Sequence, residues 1–162
     1  MQTVYVETSI ISYLAAYPSR DLVVAAHQQI TRDWWKTATA RFDLHVSEAV
    51  LAEIRAGDPT AGTRRLQLVQ AIPVLRQTED VRVLAAHYDK TLGLSGKARA
   101  DIPHFAFAVS HQMDYLVTWN CSHIANGQMI KRLMTVNAEL KRPTPLIVTP
   151  EEIMESLEDP TL

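Results

Sequence analysis

Asp101-Ile-Pro-His-Phe-Ala-Phe-Ala-Val-Ser-His-Gln-Met-Asp114, continued by Tyr115-Leu-Val-Thr-Trp-Asn-Cys-Ser-His-Ile-Ala-Asn126, reads as a helix followed by a strand. Asp101 suits an N-cap, because its carboxylate can accept the orphan N–H groups of the next turn. Pro103 fits the first turn, where a missing N–H costs nothing. Phe105, Ala106, Ala108 and Val109 make the helix almost wholly apolar, and Asp114 makes the turn. Tyr115-Leu-Val-Thr118 is a short apolar run of the buried-strand type. It closes on Thr118, Asn120, Ser122 and His123. Ligands in open α/β sheets bind outside the carboxyl ends of the strands, so this end of the chain is where other polar groups are to be sought.

Working outward, the same alternation recurs. Thr3-Val4-Tyr5-Val6 predicts a first, central strand that stops at Glu7, with Thr8 or Ser9 capping a short helix through Ile10, Ile11 and Leu14. A helix over 20–40 carries Leu22, Val23, Ala26, Ile30 and Trp34 on one stripe. Phe42 to Ser47 alternates as a second strand, and Ser47 caps a helix with Val50, Leu51 and Ile54 that also carries Glu53. A helix over 60–71 leads to Ile72-Pro-Val-Leu75, whose proline places this third strand at a sheet edge. Thr78 caps a further helix ending at Gly93, and Leu94 to Ala100 reads as a loop. After Asn126 comes a helix through Met129, Leu133 and Leu140, then a last strand at 145–149 and a helix start at Thr149-Pro-Glu-Glu152. Strands alternating with helices predict a mainly parallel sheet of about five strands between helical layers, a three-layer α/β/α fold. One domain over 1–162 suits the length.

Composition excludes several classes. A net charge of −2 gives no basic field to hold nucleic acid, so a polyanion would need a local patch or a metal. No apolar run reaches membrane-spanning length. The Met1-Gln-Thr-Val-Tyr-Val-Glu7 start lacks the basic and apolar regions of a signal peptide. Cys121 is the single cysteine, which excludes an internal disulfide and suits a reducing cytoplasm. None of the 5 glycines forms a nucleotide-binding signature.

Glu7 ends the first strand, Glu53 lies in the helix after the second, Asp101 opens the helix before the fourth, and Asn120 lies just past that strand. In a parallel sheet with a central first strand these positions can converge on one rim. Three converging carboxylates repel unless a cation sits among them. A hard, oxygen-seeking dication such as Mg²⁺ is the natural occupant, and it brings waters to a phosphate substrate.

Val4-Tyr-Val-Glu-Thr-Ser-Ile-Ile-Ser-Tyr-Leu14, the Ser47 and Glu53-Ile54 pair, Asp101 with His104, Ala106 and Ala108, and Tyr115 to Asn126 resemble the ordered motifs of PIN domains. They are most similar to the VapC-type toxins of type II toxin–antitoxin pairs, and the Glu-Thr-Ser and Thr-Trp-Asn combination resembles a subgroup of them. The resemblance covers nearly the whole chain. It implies a PIN-like fold and a Mg²⁺- or Mn²⁺-dependent endoribonuclease acting on RNA, with a cognate protein antitoxin and a homodimer. It implies catalytic roles for Glu7, Glu53, Asp101 and Asn120, the first three as metal ligands. Two positions depart from the family pattern. Glu7 stands where most members carry Asp, and Asn120 stands where an acidic residue is usual. These departures motivate a second reading, a catalytically weak PIN module that binds RNA or a protein partner.

Thr8, Ser9, His104, Thr118 and His123 are candidates for contacting substrate or supporting the ligands. Ser9 and Thr118 serve equally well as cap and strand-end bonding groups. His104 and His111 share a helix face, yet a zinc site would need further nitrogen or sulfur ligands, and only one thiol exists. His104 therefore reads as a packed histidine beside Asp101, and Cys121 as a packing residue. Arg55, Arg64, Arg65, Lys97 and Arg99 flank the acidic segments and could meet phosphate, although a solvated face is the commoner fate of each.

Overall fold

The computed structural model describes residues 1–154. In chain order the elements are β1 (Thr3–Val6), α1 (Thr8–Ala15), α2 (Leu22–Arg41), β2 (Asp43–Ser47), α3 (Glu48–Ala56), α4 (Pro59–Val69) and β3 (Val74–Leu75). They continue as α5 (Glu79–Thr91), α6 (Gly96–Arg99), α7 (Ile102–Ser110), β4 (Tyr115–Val117), α8 (Gly127–Glu139), β5 (Leu146–Val148) and α9 (Pro150–Ile153). The five strands form one sheet in the order β3-β2-β1-β4-β5, and every pairing is parallel. β1 is central, and β3, behind its proline, is an edge.

A parallel sheet is covered on both faces, so its strands read as apolar runs without alternation. Val4, Tyr5 and Val6 are all fully buried, as are Leu116 and Val117. Register sets Val4 beside Leu44 on one side and beside Tyr115 on the other. Among the helices, α1 packs on α2, α3 and α4, whereas α5 packs on α7. A buried bond from the Tyr88 hydroxyl to Asn137 Oδ1 ties α5 to α8. α3 also touches α7, which brings the helix of Glu53 against the helix that follows Asp101. No helix among the described residues is long and apolar enough to cross a membrane.

Local chemistry explains most boundaries. Asp21, Ser47, Asp58, Thr78 and Asn126 each cap a helix through a side-chain oxygen. Thr149 and Glu152 form a reciprocal capping box at α9. Three expectations need correction. α1 is capped by Glu7, one residue earlier than Thr8 or Ser9, because its carboxylate accepts Ser9 N–H at 3.1 Å. Asp101 occupies the N-cap position of α7 but has helical backbone angles and makes no capping bond, so its carboxylate is free to point elsewhere. The segment 94–100 is not only loop. It contains the short α6, reached through the left-handed turns of Gly93 (φ 65°) and Gly96 (φ 58°).

Candidate metal centre at the strand ends

Glu7 sits where β1 gives way to α1, beside the carboxyl end of β4. Its backbone N–H bonds Val117 O at 3.1 Å, which continues the β1–β4 ladder by one residue. Only 4% of Glu7 is exposed. Its Oε2 accepts Ser9 N–H at 3.1 Å, Ser9 Oγ–H at 2.5 Å and Thr118 Oγ1–H at 2.6 Å. Those hydroxyls are themselves held, since Ser9 Oγ accepts Trp119 N–H at 2.8 Å and Thr118 Oγ1 accepts Asn120 N–H at 2.9 Å. One carboxylate oxygen is therefore locked by the start of α1 and the end of β4 together. The other, Oε1, faces His104 Nε2 at 3.7 Å.

His104 is wholly buried on α7 and bridges the remaining groups. Its Nε2 meets Glu53 Oε1 at 2.5 Å, and its Nδ1 meets the Tyr5 hydroxyl at 2.7 Å. Tyr5 in turn contacts Ser47 Oγ at 2.7 Å, the hydroxyl that caps α3 by accepting Val50 N–H. Glu53 remains 43% exposed at its side chain, so it reaches the rim from the outside of α3. The electrostatics agree from both partners. Burial pulls the His104 imidazole down, but the bond to Glu53 and the charges of Glu7, Glu53 and Asp101 outweigh it, and its pKa is raised. Burial pushes Glu53 up, yet His104 and the nearby Thr8 hydroxyl bring its carboxyl below the usual range. Burial, reinforced by the charges of Glu7 and Glu53, holds the Tyr5 phenol well above its ordinary value, so it keeps its proton. Thr8 Oγ1 is buried with no partner in hydrogen-bond geometry, although it lies close enough to favour ionised Glu53.

Asp101 faces the other side of the rim. Its Oδ2 accepts Asn120 Nδ2–H at 3.2 Å and lies 3.2 Å from His123 Nδ1. Burial raises its pKa first, the charge of Glu7 adds to that, and His104, His123 and Asn120 oppose it. The Asn120 amide oxygen accepts His123 N–H at 2.9 Å while its Nδ2–H goes to Asp101, so the amide stitches the 120–123 loop to Asp101. Trp119 anchors the same loop by stacking on His27 at 4.0 Å and donating its indole N–H to Thr31 Oγ1 at 2.7 Å.

The set fits a divalent ion. One ligand atom from each of Glu7, Glu53 and His104 lies within 4.8 Å of the others, two of the three are carboxylate oxygens, and an unpartnered buried hydroxyl stands beside them. Among the sequence candidates, Glu7, Thr8, Ser9, Glu53, His104 and Thr118 come together directly, and Asp101, Asn120 and His123 form an adjoining cluster. Asn126 caps α8, Cys121 is exposed rather than packed, and His111 bonds Arg76 O at 2.9 Å and does not join His104. Arg99 is engaged by Asp89 at 2.6 Å and 2.7 Å, and Arg64 lies over the Tyr17 ring while bonding Ala15 O. Tyr5 and Ser47 are the site residues that sequence reading missed. A tyrosine hydroxyl in an otherwise aliphatic central strand was the available signal, because a buried hydroxyl needs a partner.

No family model and no curated protein matches the chain. Solved structures do. The crystal structure of VapBC2 from Rickettsia felis, bound to a DNA fragment from its promoter, aligns at a TM-score of 0.60 and 12% identity, over 91% of this chain and 98% of that one. VapBC-1 from nontypeable Haemophilus influenzae aligns at 0.59 and 15% identity, over 93% and 99%. VapC20 from Mycobacterium tuberculosis, a sarcin-ricin loop cleaving toxin, aligns at 0.57 and 17% identity, over 76% and 95%. At these identities the likeness is one of fold. The mixed α/β architecture with an all-parallel five-stranded sheet is the PIN-like fold that the sequence motifs imply.

Proposed function

We propose that the chain is a single PIN-like unit over 1–162 and a metal-dependent endoribonuclease, the toxin of a toxin–antitoxin pair. The observation that carries this reading is the meeting of Glu7 and Glu53 around His104 at the carboxyl ends of β1 and β4, with Asp101 in the adjoining cluster, in a fold shared with VapC chains. Glu7, Glu53 and Asp101 would hold Mg²⁺ or Mn²⁺. When bound, such an ion neutralises phosphodiester charge and lowers the pKa of an attacking water. The protein's own groups supply the rest. Ser9 and Thr118 fix one oxygen of Glu7 and leave the other for the site. His104 holds Glu53 in reach, and Asn120 holds Asp101 and the loop of His123. RNA as substrate, a cognate antitoxin, a homodimer and a cytoplasmic location belong to the same reading.

Cleavage of structured RNAs by the purified chain tests it. Turnover should require Mg²⁺ or Mn²⁺, stop on chelation, and fall about a hundredfold or more in Glu53→Gln, the scale of losing a placed catalytic group. Metal-independent cleavage would refute the reading. One observation favours an alternative, a catalytically weak module that binds RNA or a protein partner. The position usually acidic in the family is the neutral Asn120, and its side-chain oxygen accepts His123 N–H. Tight RNA binding without cleavage in any metal would select that alternative.

A further inference from the structure

We propose that His104 is itself a protein ligand of this centre, which makes it a mixed nitrogen–oxygen site selective for a first-row transition dication such as Mn²⁺ over Mg²⁺. The inference rests on the metal reading above and adds a ligand, and with it a preference, which that reading does not contain. His104 Nε2 lies 2.5 Å from Glu53 Oε1 and 3.7 Å from Glu7 Oε1, so it shares one small space with both carboxylates. The ring is entirely buried, and no water of bulk solvent competes for that nitrogen.

The ring's other nitrogen is held in the manner of a metal-bound histidine, whose distal nitrogen is almost always fixed by a hydrogen-bond partner. Nδ1 meets Tyr5 Oη at 2.7 Å, and Tyr5 Oη meets Ser47 Oγ at 2.7 Å. In the structure Nε2 carries the ring proton and donates it to the ionised Glu53 Oε1, so Nδ1 accepts from the Tyr5 hydroxyl and Tyr5 Oη from Ser47. A cation taking the Nε2 lone pair requires that proton on Nδ1 instead, where Tyr5 Oη accepts it and Tyr5 turns its own proton to Ser47 Oγ. The two arrangements contain the same number of protons, so Ser47 and Tyr5 support either tautomer without changing the charge of the site. Thr8 Oγ1, buried and without a partner in hydrogen-bond geometry, lies beside Glu53 at the same centre. Imidazole suits transition ions, whereas Mg²⁺ keeps oxygen and water ligands.

Pulsed electron paramagnetic resonance of Mn²⁺ bound to the full-length chain decides the matter. The expected result is ¹⁴N modulation in the wild type that changes on ¹⁵N-histidine labelling, which needs no mutation, and that disappears in His104→Gln. Mn²⁺ affinity should fall roughly tenfold in His104→Gln and in Tyr5→Phe. Mg²⁺ affinity should change by less than about threefold in both, because oxygen ligands carry it. Bound Mn²⁺ without ¹⁴N modulation would overturn the inference and leave the metal reading intact, with His104 only positioning Glu53. Failure of the wild type to bind Mn²⁺ at all would overturn both.

Discussion

Glu7 has two duties, which substitutions at that residue separate. Its Oε2 caps α1 and receives the Ser9 and Thr118 hydroxyls, while its charge serves the rim. Glu7→Gln keeps an acceptor in place and removes the charge, so it should abolish cleavage at a stability cost of about 1 kcal/mol or less. Glu7→Ala removes the acceptor and leaves buried hydroxyls unpaired, which should cost about 3 kcal/mol. Urea denaturation of the two variants beside a cleavage assay checks this. Equal destabilisation by both would mean that the carboxylate charge, and not the capping oxygen, holds the β1–α1 corner together.

Between elements, the clearest clamp is Asp80 at the start of α5. Its carboxylate meets Arg142 beyond α8 at 2.5 Å and 2.9 Å and accepts Ser110 Oγ–H from the end of α7 at 2.5 Å. Arg142 first, then Ser110, hold the Asp80 carboxyl below its ordinary value. A depressed folded pKa stabilises above the unfolded value and loses that stabilisation as pH falls through the folded one. Asp80→Asn should therefore cost about 1 kcal/mol at pH 7, discounted because the pair is substantially exposed, and the cost should shrink in high salt. The difference from wild type should vanish once the pH lies below the folded value of Asp80. Chemical denaturation at neutral and strongly acidic pH reads it, and a cost that persists in acid would mean the clamp acts by packing alone. The Tyr88–Asn137 bond joins two of these helices, α5 and α8, so this layer is joined by polar as well as apolar contacts.

For the molecule as a whole, the strand ends gather carboxylates that the fold must tolerate without metal. Asp101 has a raised pKa from burial and the nearness of Glu7. A carboxyl raised in the folded state favours folding when protonated and loses that contribution as pH rises through its folded value. Metal-free Asp101→Asn should accordingly melt above the wild type at pH 7, by a few degrees for about 1 kcal/mol. Millimolar Mn²⁺ should raise the melting temperature of the wild type, by an amount worth about 2.7 kcal/mol at a hundredfold excess over Kd. The shift should be smaller in Asp101→Asn. Thermal melts with and without Mn²⁺ measure both, and identical shifts in the two proteins would exclude Asp101 from the centre.

The amino-acid sequence by itself determined the order and type of the elements apart from the short α6, the central first strand and the edge position of β3. Apolar runs, caps and a strand proline are local signals, and local energetics decides them. It also placed Glu7, Glu53 and Asp101 near one rim, because parallel topology puts strand ends together. Which atoms meet there was decided only by tertiary structure. Tyr5 and His104 are 99 residues apart, and Glu53 and His104 are 51 apart, so no periodicity announces that a tyrosine, a serine and a histidine brace one carboxylate. The same holds for Asp101, expected to cap its helix but turned to Asn120 and His123, and for Asn120, whose oxygen serves a loop N–H. A side chain buried at a junction of elements takes its partners from the whole fold, since each polar group left unpaired there costs more than a local cap returns.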